Sequence, residues 1–287
     1  MMAVPAVLSP RSAIEEDRSR LANLLHFETY VHRHLDWRRP VDWLGQKPYL
    51  VVETSERLLA ALACPADPPG VAWIRLFASA TRFNANEAWQ ILWPQALAQL
   101  RELSVEHAAA IPMQDWFREI LAASQFSFTH NVVVLDWRPD AKSSPAEPGV
   151  GLNIRSMTEK DLDGVVAVDQ QAFTPLWQNS KEAVSMAFQQ ASLASLIEDN
   201  QRIIAFQIST RGSRGLHLAR LATHPEFQGR GLGLALVRHV QHQLVLRNES
   251  LLTVNTQDNN APSLALYNKL GFSLTGEQFP VYQFELN

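Results

Sequence analysis

Hydrophobic and polar positions alternate along this chain in two patterns, and both patterns occur in each half. Short apolar runs bounded by turn residues, such as Tyr49–Glu53 and Arg202–Thr210, are typical of buried strands. Longer segments carry their packed residues at helical spacing, and in 231–247 these are Leu232, Ala235, Leu236, His239 and Val240. Helices that alternate with strands around a central sheet predict an α/β fold.

The same order of elements is predicted twice. The first half contains strands Tyr49–Glu53, Arg57–Cys64 and Val71–Ala78, helix Asn86–Leu103, strand Glu106–Ile111, helix Asp115–Ser124 and strand Thr129–Trp137. The second half contains helices Thr158–Gln171 and Ser180–Gln190, strands Ser195–Glu198, Arg202–Thr210 and Leu216–Thr223, helix Gly231–Arg247, strand Leu251–Thr256, helix Ala261–Leu270 and strand Phe272–Leu286.

Identical residues recur at an offset of 145 positions, which indicates a duplicated domain. The pairs include Glu53 and Glu198, Arg57 and Arg202, Ala60 and Ala205, Gly70 and Gly215, Arg75 and Arg220, and Leu76 and Leu221. Between the copies, Arg138–Gly149 is rich in proline and serine and is typical of a linker. We therefore predict one domain over 1–138, a linker over 139–150 and a second domain over 151–287.

Composition narrows the class of protein. The 287 residues carry 25 Lys and Arg against 29 Asp and Glu, a net charge of -4 that argues against nucleic-acid binding. Cys64 is the single cysteine, so an intrachain disulfide or a thiolate metal cluster is excluded, and no metal is predicted. Met1–Pro10 lacks the layout of a signal peptide, and no apolar run approaches the roughly 20 residues that span a bilayer. We expect a cytoplasmic protein without a membrane partner.

The sharpest motif lies where strand Leu216–Thr223 meets the helix that follows it. Gln228-Gly229-Arg230-Gly231-Leu232-Gly233 places three alternating glycines in the turn that opens this helix. Unpaired amides and the helix dipole favour an anion such as a pyrophosphate there, and glycines allow its close approach. The spacing fits neither the dinucleotide-binding Gly-x-Gly-x-x-Gly pattern nor the Walker motif with its lysine.

This turn resembles the Gln/Arg-x-x-Gly-x-Gly/Ala signature of the GNAT superfamily of N-acetyltransferases. A second match follows in Asn260–Phe272, where Ser263 and Tyr267 stand three and seven positions after Asn260 and Gly271-Phe272 closes the motif. The resemblance covers about Leu152–Leu286. It implies two tandem GNAT-type domains with a mixed, mostly antiparallel sheet flanked by helices. It also implies transfer of an acetyl group from acetyl-CoA to a primary amine, on a small molecule or a protein N-terminus.

The same resemblance implies roles for particular residues. Leu221, Ala222 and Thr223 would offer backbone groups to the pantetheine arm. Tyr267 would be the catalytic acid, because a phenol with a pKa near 10 can protonate the leaving thiolate. The remaining cofactor-binding residues would line the pyrophosphate and pantetheine path: Gln228, Gly229, Arg230, Gly231, Leu232, Gly233, Asn260 and Ser263.

The amine must lose a proton before it attacks the acetyl carbonyl directly, and the base stays open at this stage. The candidates are Glu226, Asp258, His217 and the region of Asn255. We expect the acceptor pocket to draw on Phe173, Trp177 and the loop at Gln178-Asn179.

The first half is predicted to be a degenerate copy. At the glycine turn it has Phe83-Asn84-Ala85-Asn86-Glu87-Ala88, whose side chains and carboxylate oppose a pyrophosphate. Two copies with a catalytic C-terminal half resemble the layout of mycothiol synthase. The alternatives to an acetyltransferase are a non-catalytic coenzyme A-binding sensor or scaffold, and a transferase that uses a longer acyl-CoA.

Overall fold

The computed structural model describes residues 8–55, 57–139, 153–212 and 215–286. The chain forms two compact units: the first comprises Met1–Thr129 and Pro280–Asn287, and the second comprises His130–Phe279. This division differs from the predicted domain boundaries at 138 and 151, because each half of the sequence ends in a strand that begins in one unit and finishes in the other. Residues 140–150 of the predicted linker lie outside the described residues.

The first unit contains two groups of strands. Its strands and helices are β1 (Arg11–Ser12), α1 (Arg18–Phe27), β2 (Tyr30–Arg33), β3 (Tyr49–Glu53), β4 (Leu58–Ala63), β5 (Val71–Trp73), β6 (Leu76–Ser79), α2 (Ala85–Glu102), β7 (His107–Ala110), α3 (Asp115–Ala123) and the start of β8 (Ser127–Trp137). One sheet has the order β1-β3-β4-β6-β2, with antiparallel pairs throughout. In the other, β7 pairs in parallel with β5 and antiparallel with the end of the chain's last strand.

The second unit follows a similar order of elements. Its strands and helices are β9 (Ile154–Ser156), α4 (Leu162–Ala172), α5 (Lys181–Gln189), β10 (Ala191–Asp199), β11 (Arg202–Arg211), β12 (Leu216–Thr223), α6 (Leu232–Leu246), β13 (Leu252–Gln257), α7 (Ala261–Lys269) and β14 (Ser273–Glu285). Helix α5 takes the place of strand β2, and the single strand β12 takes that of β5 and β6. From β9 to β13 the strands are neighbours in reverse chain order, and β13 is followed by β8 and β14. All pairs from β9 to β12 are antiparallel, β12 pairs in parallel with β13, and β13 pairs antiparallel with β8. The predicted α/β fold with a mixed sheet is confirmed.

The predicted strand Val71–Ala78 is two strands in the structure. β5 ends at Trp73 and β6 begins at Leu76, so the chain changes sheets at Ile74 and Arg75. The corresponding strand of the second unit, β12, stays whole and carries a bulge at Ala219, where the register against β11 shifts. A bulge lets a strand bend without leaving its sheet.

Each unit has its own core. In the first unit, Trp43, Phe77, Trp89 and Phe117 are buried in a single apolar cluster. In the second, one face of α6 packs on the sheet through Leu232, Ala235, Leu236, Val240 and Leu244, whereas His239, which the helical spacing also predicts on this face, is only half-buried. Within the described ranges, no helix combines the length and the apolar character that crossing a membrane requires.

Candidate active site

A gap opens between β12 and β13 in the second unit. Their paired residues end at Leu218 and Val254, although β12 continues beside β11 to Thr223. β13 in turn continues beside β8 to Gln257. The pairing of the two strands therefore stops at the bulge of Ala219, and the edge of β12 at Leu221, Ala222 and Thr223 is not paired with β13. Backbone groups on such an edge need a partner from elsewhere.

The glycine turn follows directly after this edge. Gly229 has φ +75° and Gly231 has φ +79°, a conformation that side chains with a Cβ rarely adopt. A Cβ built at either position would meet no atom within 4 Å, so the space in front of both residues is open. This arrangement fits a ligand that approaches the backbone closely.

Helix α6 begins at this turn without a side-chain cap. Gly231 is its N-cap residue and offers no side chain to the first amides. The amide of Ala235 bonds the carbonyl of Gly231, so the amides of Leu232, Gly233 and Leu234 precede the first full turn. Free amides together with the positive end of the helix dipole form a site for an anion.

The corresponding helix of the first unit is capped by its own chain. The side-chain oxygen of Asn84 accepts hydrogen bonds from the amides of Asn86 and Glu87, at 2.9 and 3.2 Å. Phe83, at the position that corresponds to Gln228, is only 8% exposed and belongs to the core. Two of the amides at the start of α2 that could hold an anion are thus already occupied.

Residues from three elements meet around the glycine turn. The side chain of Gln228 donates to the carbonyl of Thr223, at 3.2 Å. A Cβ on Gly233 would lie 3.9 Å from Leu221 and Thr223 and 3.5 Å from Leu266 of α7. The predicted residues of β12 and of the turn are therefore neighbours, and α7 lies against them. Arg230 donates to the carbonyl of Glu226, at 3.2 Å, and its guanidinium lies over Phe227.

Helix α7 carries the other predicted residues. Asn260 is its N-cap, and its side chain accepts from the amide of Ser263 at 3.2 Å and donates to Gln257 at 3.3 Å. Tyr267 lies one helical turn after Ser263 and is only 4% exposed. Its ring centre is 5.4 Å from that of Phe272. Burial raises the pKa of Tyr267, so the phenol holds its proton at neutral pH.

An ion pair that the sequence analysis did not single out lies where the acceptor pocket is predicted. Arg220 of β12 binds the fully buried Asp169 of α4 through two hydrogen bonds, at 2.6 and 2.8 Å. Arg220 also donates to the carbonyl of Trp177, and its guanidinium lies 3.5 Å from the ring centre of Phe173. Asp169 accepts from the amide of Asn179 as well. The predicted pocket residues Phe173, Trp177 and Asn179 are thus held by one buried pair.

A signal for this pair was present in the sequence. Arg220 recurs as Arg75 at the 145-residue offset, and Arg75 also pairs with a carboxylate, that of Asp36 at 3.3 Å, although Asp36 does not occupy the position that corresponds to Asp169. A repeated, buried arginine indicates that each copy needs a carboxylate partner, although no fixed spacing identifies that partner.

Three of the candidate bases already have hydrogen-bond partners. Glu226 is 67% exposed and pairs with Arg202, at 3.1 Å. Asp258 accepts from the side chain of Asn131 at 2.9 Å, and His217 Nδ1 lies 2.9 Å from the hydroxyl of Thr253. Asn255 is exposed on β13, and its amide has no basic nitrogen.

A charged cleft of about 720 Å³ adjoins this region. It lies between α4 and the β10–β11 turn and reaches His224 and Glu226, with Lys160, Asp161, Glu198 and Arg202 in its wall. It does not include the glycine turn or Tyr267. Within the part of the chain that the structure describes, no group of three His, Cys, Asp or Glu side chains is arranged to hold a metal ion.

The unpaired edge of β12, the uncapped glycine turn and helix α7 with Tyr267 lie together in the second unit. The sequence model of the Acetyltransferase (GNAT) family matches residues 162–272. The [ribosomal protein bS18]-alanine N-acetyltransferase of Escherichia coli K12 is 28% identical over 120 residues, which are 42% of this chain and 80% of that protein. The C-terminal half of the chain is therefore a GNAT acetyltransferase domain, and the predicted family is confirmed for it.

Solved structures extend the similarity of fold to nearly the whole chain. A tandem GNAT protein from the clavulanic acid biosynthesis pathway has a TM-score of 0.62 at 16% identity and covers 98% of both chains. A GCN5-related N-acetyltransferase from Anabaena variabilis has a TM-score of 0.69 at 13% identity and covers 98% of this chain and 73% of that one. The tandem GNAT fold is thus confirmed, and these identities speak for the fold alone.

Proposed function

We propose that this protein transfers an acetyl group from acetyl-CoA to a primary amine at the gap between β12 and β13. The observation that carries the proposal is the contrast between the two helix starts. Gly231 leaves the first amides of α6 uncapped, whereas Asn84 caps those of α2. The pyrophosphate of acetyl-CoA therefore binds the second unit, at the backbone of Gln228–Gly233.

The pantetheine arm lies along the free edge of β12. Leu221, Ala222 and Thr223 supply backbone donors and acceptors, as a neighbouring strand would. Asn260 and Ser263 border the same path at the start of α7, where Asn260 keeps the helix capped. This placement carries the thioester toward the middle of α7.

The chemistry is direct transfer without a covalent enzyme intermediate. The neutral amine attacks the acetyl carbonyl, a C–N bond forms, and the C–S bond breaks. Tyr267 donates its proton to the departing thiolate, because its buried phenol is still protonated at neutral pH when the C–S bond breaks. Phe173 and Trp177, held by Arg220 and Asp169, form the wall against which the acceptor lies.

Both acceptor classes remain within this proposal. The similarity to an enzyme that acetylates the alanine of ribosomal protein bS18 favours a protein N-terminus. The first unit does not bind acetyl-CoA and contributes through packing or acceptor recognition.

The test is a turnover assay that follows release of free coenzyme A thiol. The full chain is mixed with acetyl-CoA and with peptides ending in alanine, free amino acids, polyamines or aminoglycosides, and parallel reactions use a longer acyl-CoA. The proposal expects amine-dependent release and an acetylated product by mass spectrometry. Binding of acetyl-CoA by calorimetry without turnover on any amine would support a sensor, and preference for the longer donor would correct the acyl group.

A further inference from the structure

A histidine outside the family match lies beside the proposed acceptor wall. His130 is on β8, the strand that precedes the linker, and it belongs to the second unit. The family match begins only at residue 162 and so does not include it. In the sequence, His130 lies within 1–138, the part that is predicted to be the degenerate copy.

The ring of His130 is buried, and one of its nitrogens has no partner. The residue is 9% exposed, and its Nε2 atom is inaccessible and makes no hydrogen bond. A buried polar atom without a partner costs free energy, which is tolerated where a ligand completes the bond. The unpartnered Nε2 of His130 is therefore a suitable acceptor for a polar group that a bound substrate brings.

The surroundings of His130 connect it to the acceptor wall. Its ring centre is 5.7 Å from that of Trp177, with the planes at 52°. The carbonyl of Trp177 is bound by Arg220, whose charge is in turn compensated by Asp169. The aromatic neighbour of His130 is thus fixed by the same buried pair that holds Phe173.

His130 differs from the other candidate bases because its Nε2 atom has no hydrogen-bond partner. Glu226, Asp258 and His217 each have a partner within 3.1 Å. Backbone register also places His130 near the end of β13, since Asp258 donates its amide to the carbonyl of the next residue, Asn131. That end of β13 borders the gap where the thioester would lie.

We propose that His130 is the general base of the transfer: its Nε2 accepts a proton from the acceptor ammonium. This inference rests on the proposed function of the second unit. The deprotonated amine then attacks the acetyl carbon, and the sulfur leaves with the proton of Tyr267. The second amine proton returns to the Tyr267 phenolate through solvent, and His130 gives up its proton to water. The net reaction releases one proton for each amide formed.

Electrostatics agree with this assignment. Burial lowers the pKa of His130, while the negative charge of Asp258 acts in the opposite direction. Arg220, which binds the carbonyl of Trp177, is compensated by Asp169. The imidazole is therefore neutral at neutral pH and free to accept a proton.

The experiment compares His130→Asn and His130→Ala with the wild-type chain. The acceptor is a peptide with an N-terminal alanine, or the best amine of the turnover assay if that peptide is inert. We expect kcat/KM to fall by about 10²–10⁴-fold, with unchanged affinity for acetyl-CoA. Added imidazole should restore part of the rate to His130→Ala, because a small base can enter the space left by the ring. His242→Asn, on α6, is the matched control and should keep the wild-type rate.

The outcomes separate this inference from the proposed function. If wild-type protein turns over and both His130 variants keep its rate, His130 is not the base. A loss of rate without imidazole rescue, and with an unchanged pH profile, would mean that the ring only packs against Trp177. If wild-type protein has no turnover at all, the proposed function fails first.

Imidazole nitrogen NMR of the wild-type chain supplies a measurement that does not depend on the variants folding. With coenzyme A bound, adding the amine should shift the Nε2 resonance of His130. An unchanged resonance at saturating amine would overturn the assignment.

Discussion

The guanidinium of Arg155 donates two hydrogen bonds to the carboxylate of Asp161, at 2.8 and 2.7 Å. Arg11 binds Asp17 in the same way in the first unit, at 2.6 and 2.9 Å. Each arginine also binds a glutamate of the repeat, Glu198 or Glu53. In both units the aspartate accepts a backbone amide three residues earlier. The duplication therefore includes a charge network centred on a buried aspartate as well as the order of most elements.

Acid should remove the stabilisation that Asp161 contributes. Arg155 lowers the pKa of Asp161 below its ordinary value, so the folded state favours the charged carboxylate. The contribution is complete above the unfolded pKa of about 4 and is lost as the pH falls through the lower folded pKa. Asp161→Asn should cost about 1–2 kcal/mol at pH 7, allowing for solvent screening of Arg155, and progressively less below pH 4.

Urea unfolding of Asp161→Asn and wild type across this pH range measures the difference. Asparagine keeps an acceptor for the amide of Thr158, so the change isolates the charge. Asp163→Asn is the control, because that carboxylate is 81% exposed in its pair with Lys181 and should matter little. A difference that stays constant from pH 7 to pH 3 would contradict the assignment.

Gly231→Glu should abolish the binding of acetyl-CoA. The substitution forces a side chain into φ +79° and puts a carboxylate at the start of α6, where it repels the pyrophosphate. Calorimetry with acetyl-CoA measures the loss. Gly276→Glu is a matched control, because Gly276 has φ +86° and open space around it but lies on β14. Equal loss in both variants would point to backbone strain rather than to the anion site.

Tyr267→Phe should lower turnover while acetyl-CoA still binds. The substitution removes the hydroxyl and leaves the packing against Phe272 in place. Loss of a general acid costs about 10²–10⁴-fold in kcat. Steady-state rates and calorimetry on the same preparations separate catalysis from binding, and a wild-type kcat would exclude the acid role.

Each chain should bind a single acetyl-CoA molecule. Asn84 fills the amides of α2 that would hold a second pyrophosphate, and Glu87 adds negative charge there. Calorimetric titration of the full chain gives the stoichiometry, and Gly231→Glu should then bind none. Two sites per chain, or one site that survives Gly231→Glu, would contradict the assignment of the first unit.

The sequence was sufficient to predict helices whose starts are determined by nearby residues. α6 and α7 begin within a residue of their predicted starts, because glycine or asparagine at the cap and apolar spacing act locally. The glycine turn was equally visible, since positive φ at Gly229 and Gly231 requires that residue type.

Long-range partners were not visible in the same way. β8 and β14 each begin in one unit and end in the other, and this depends on which strands they pair with. The sequence of a strand does not identify its pairing partner. Asp169 and Arg220 are 51 positions apart, and His130 meets Trp177 across a linker. These contacts arise only when the sheet is assembled.

Removing either member of the Asp169–Arg220 pair should destabilise the protein strongly. Asp169 is fully buried and Arg220 is 14% exposed, so Asp169→Asn leaves a buried guanidinium without its counter-charge. Breaking such a pair typically costs about 3–5 kcal/mol. Trp177 also loses its fixed position when Arg220 is replaced, so Arg220→Met should raise KM for the amine more than for acetyl-CoA.

A double-mutant cycle with Asp169→Leu and Arg220→Met, followed by urea unfolding, measures the coupling free energy between the two residues. A double variant more stable than either single one is expected, because two apolar side chains leave no unpaired charge. Additive losses would show that the two residues act independently.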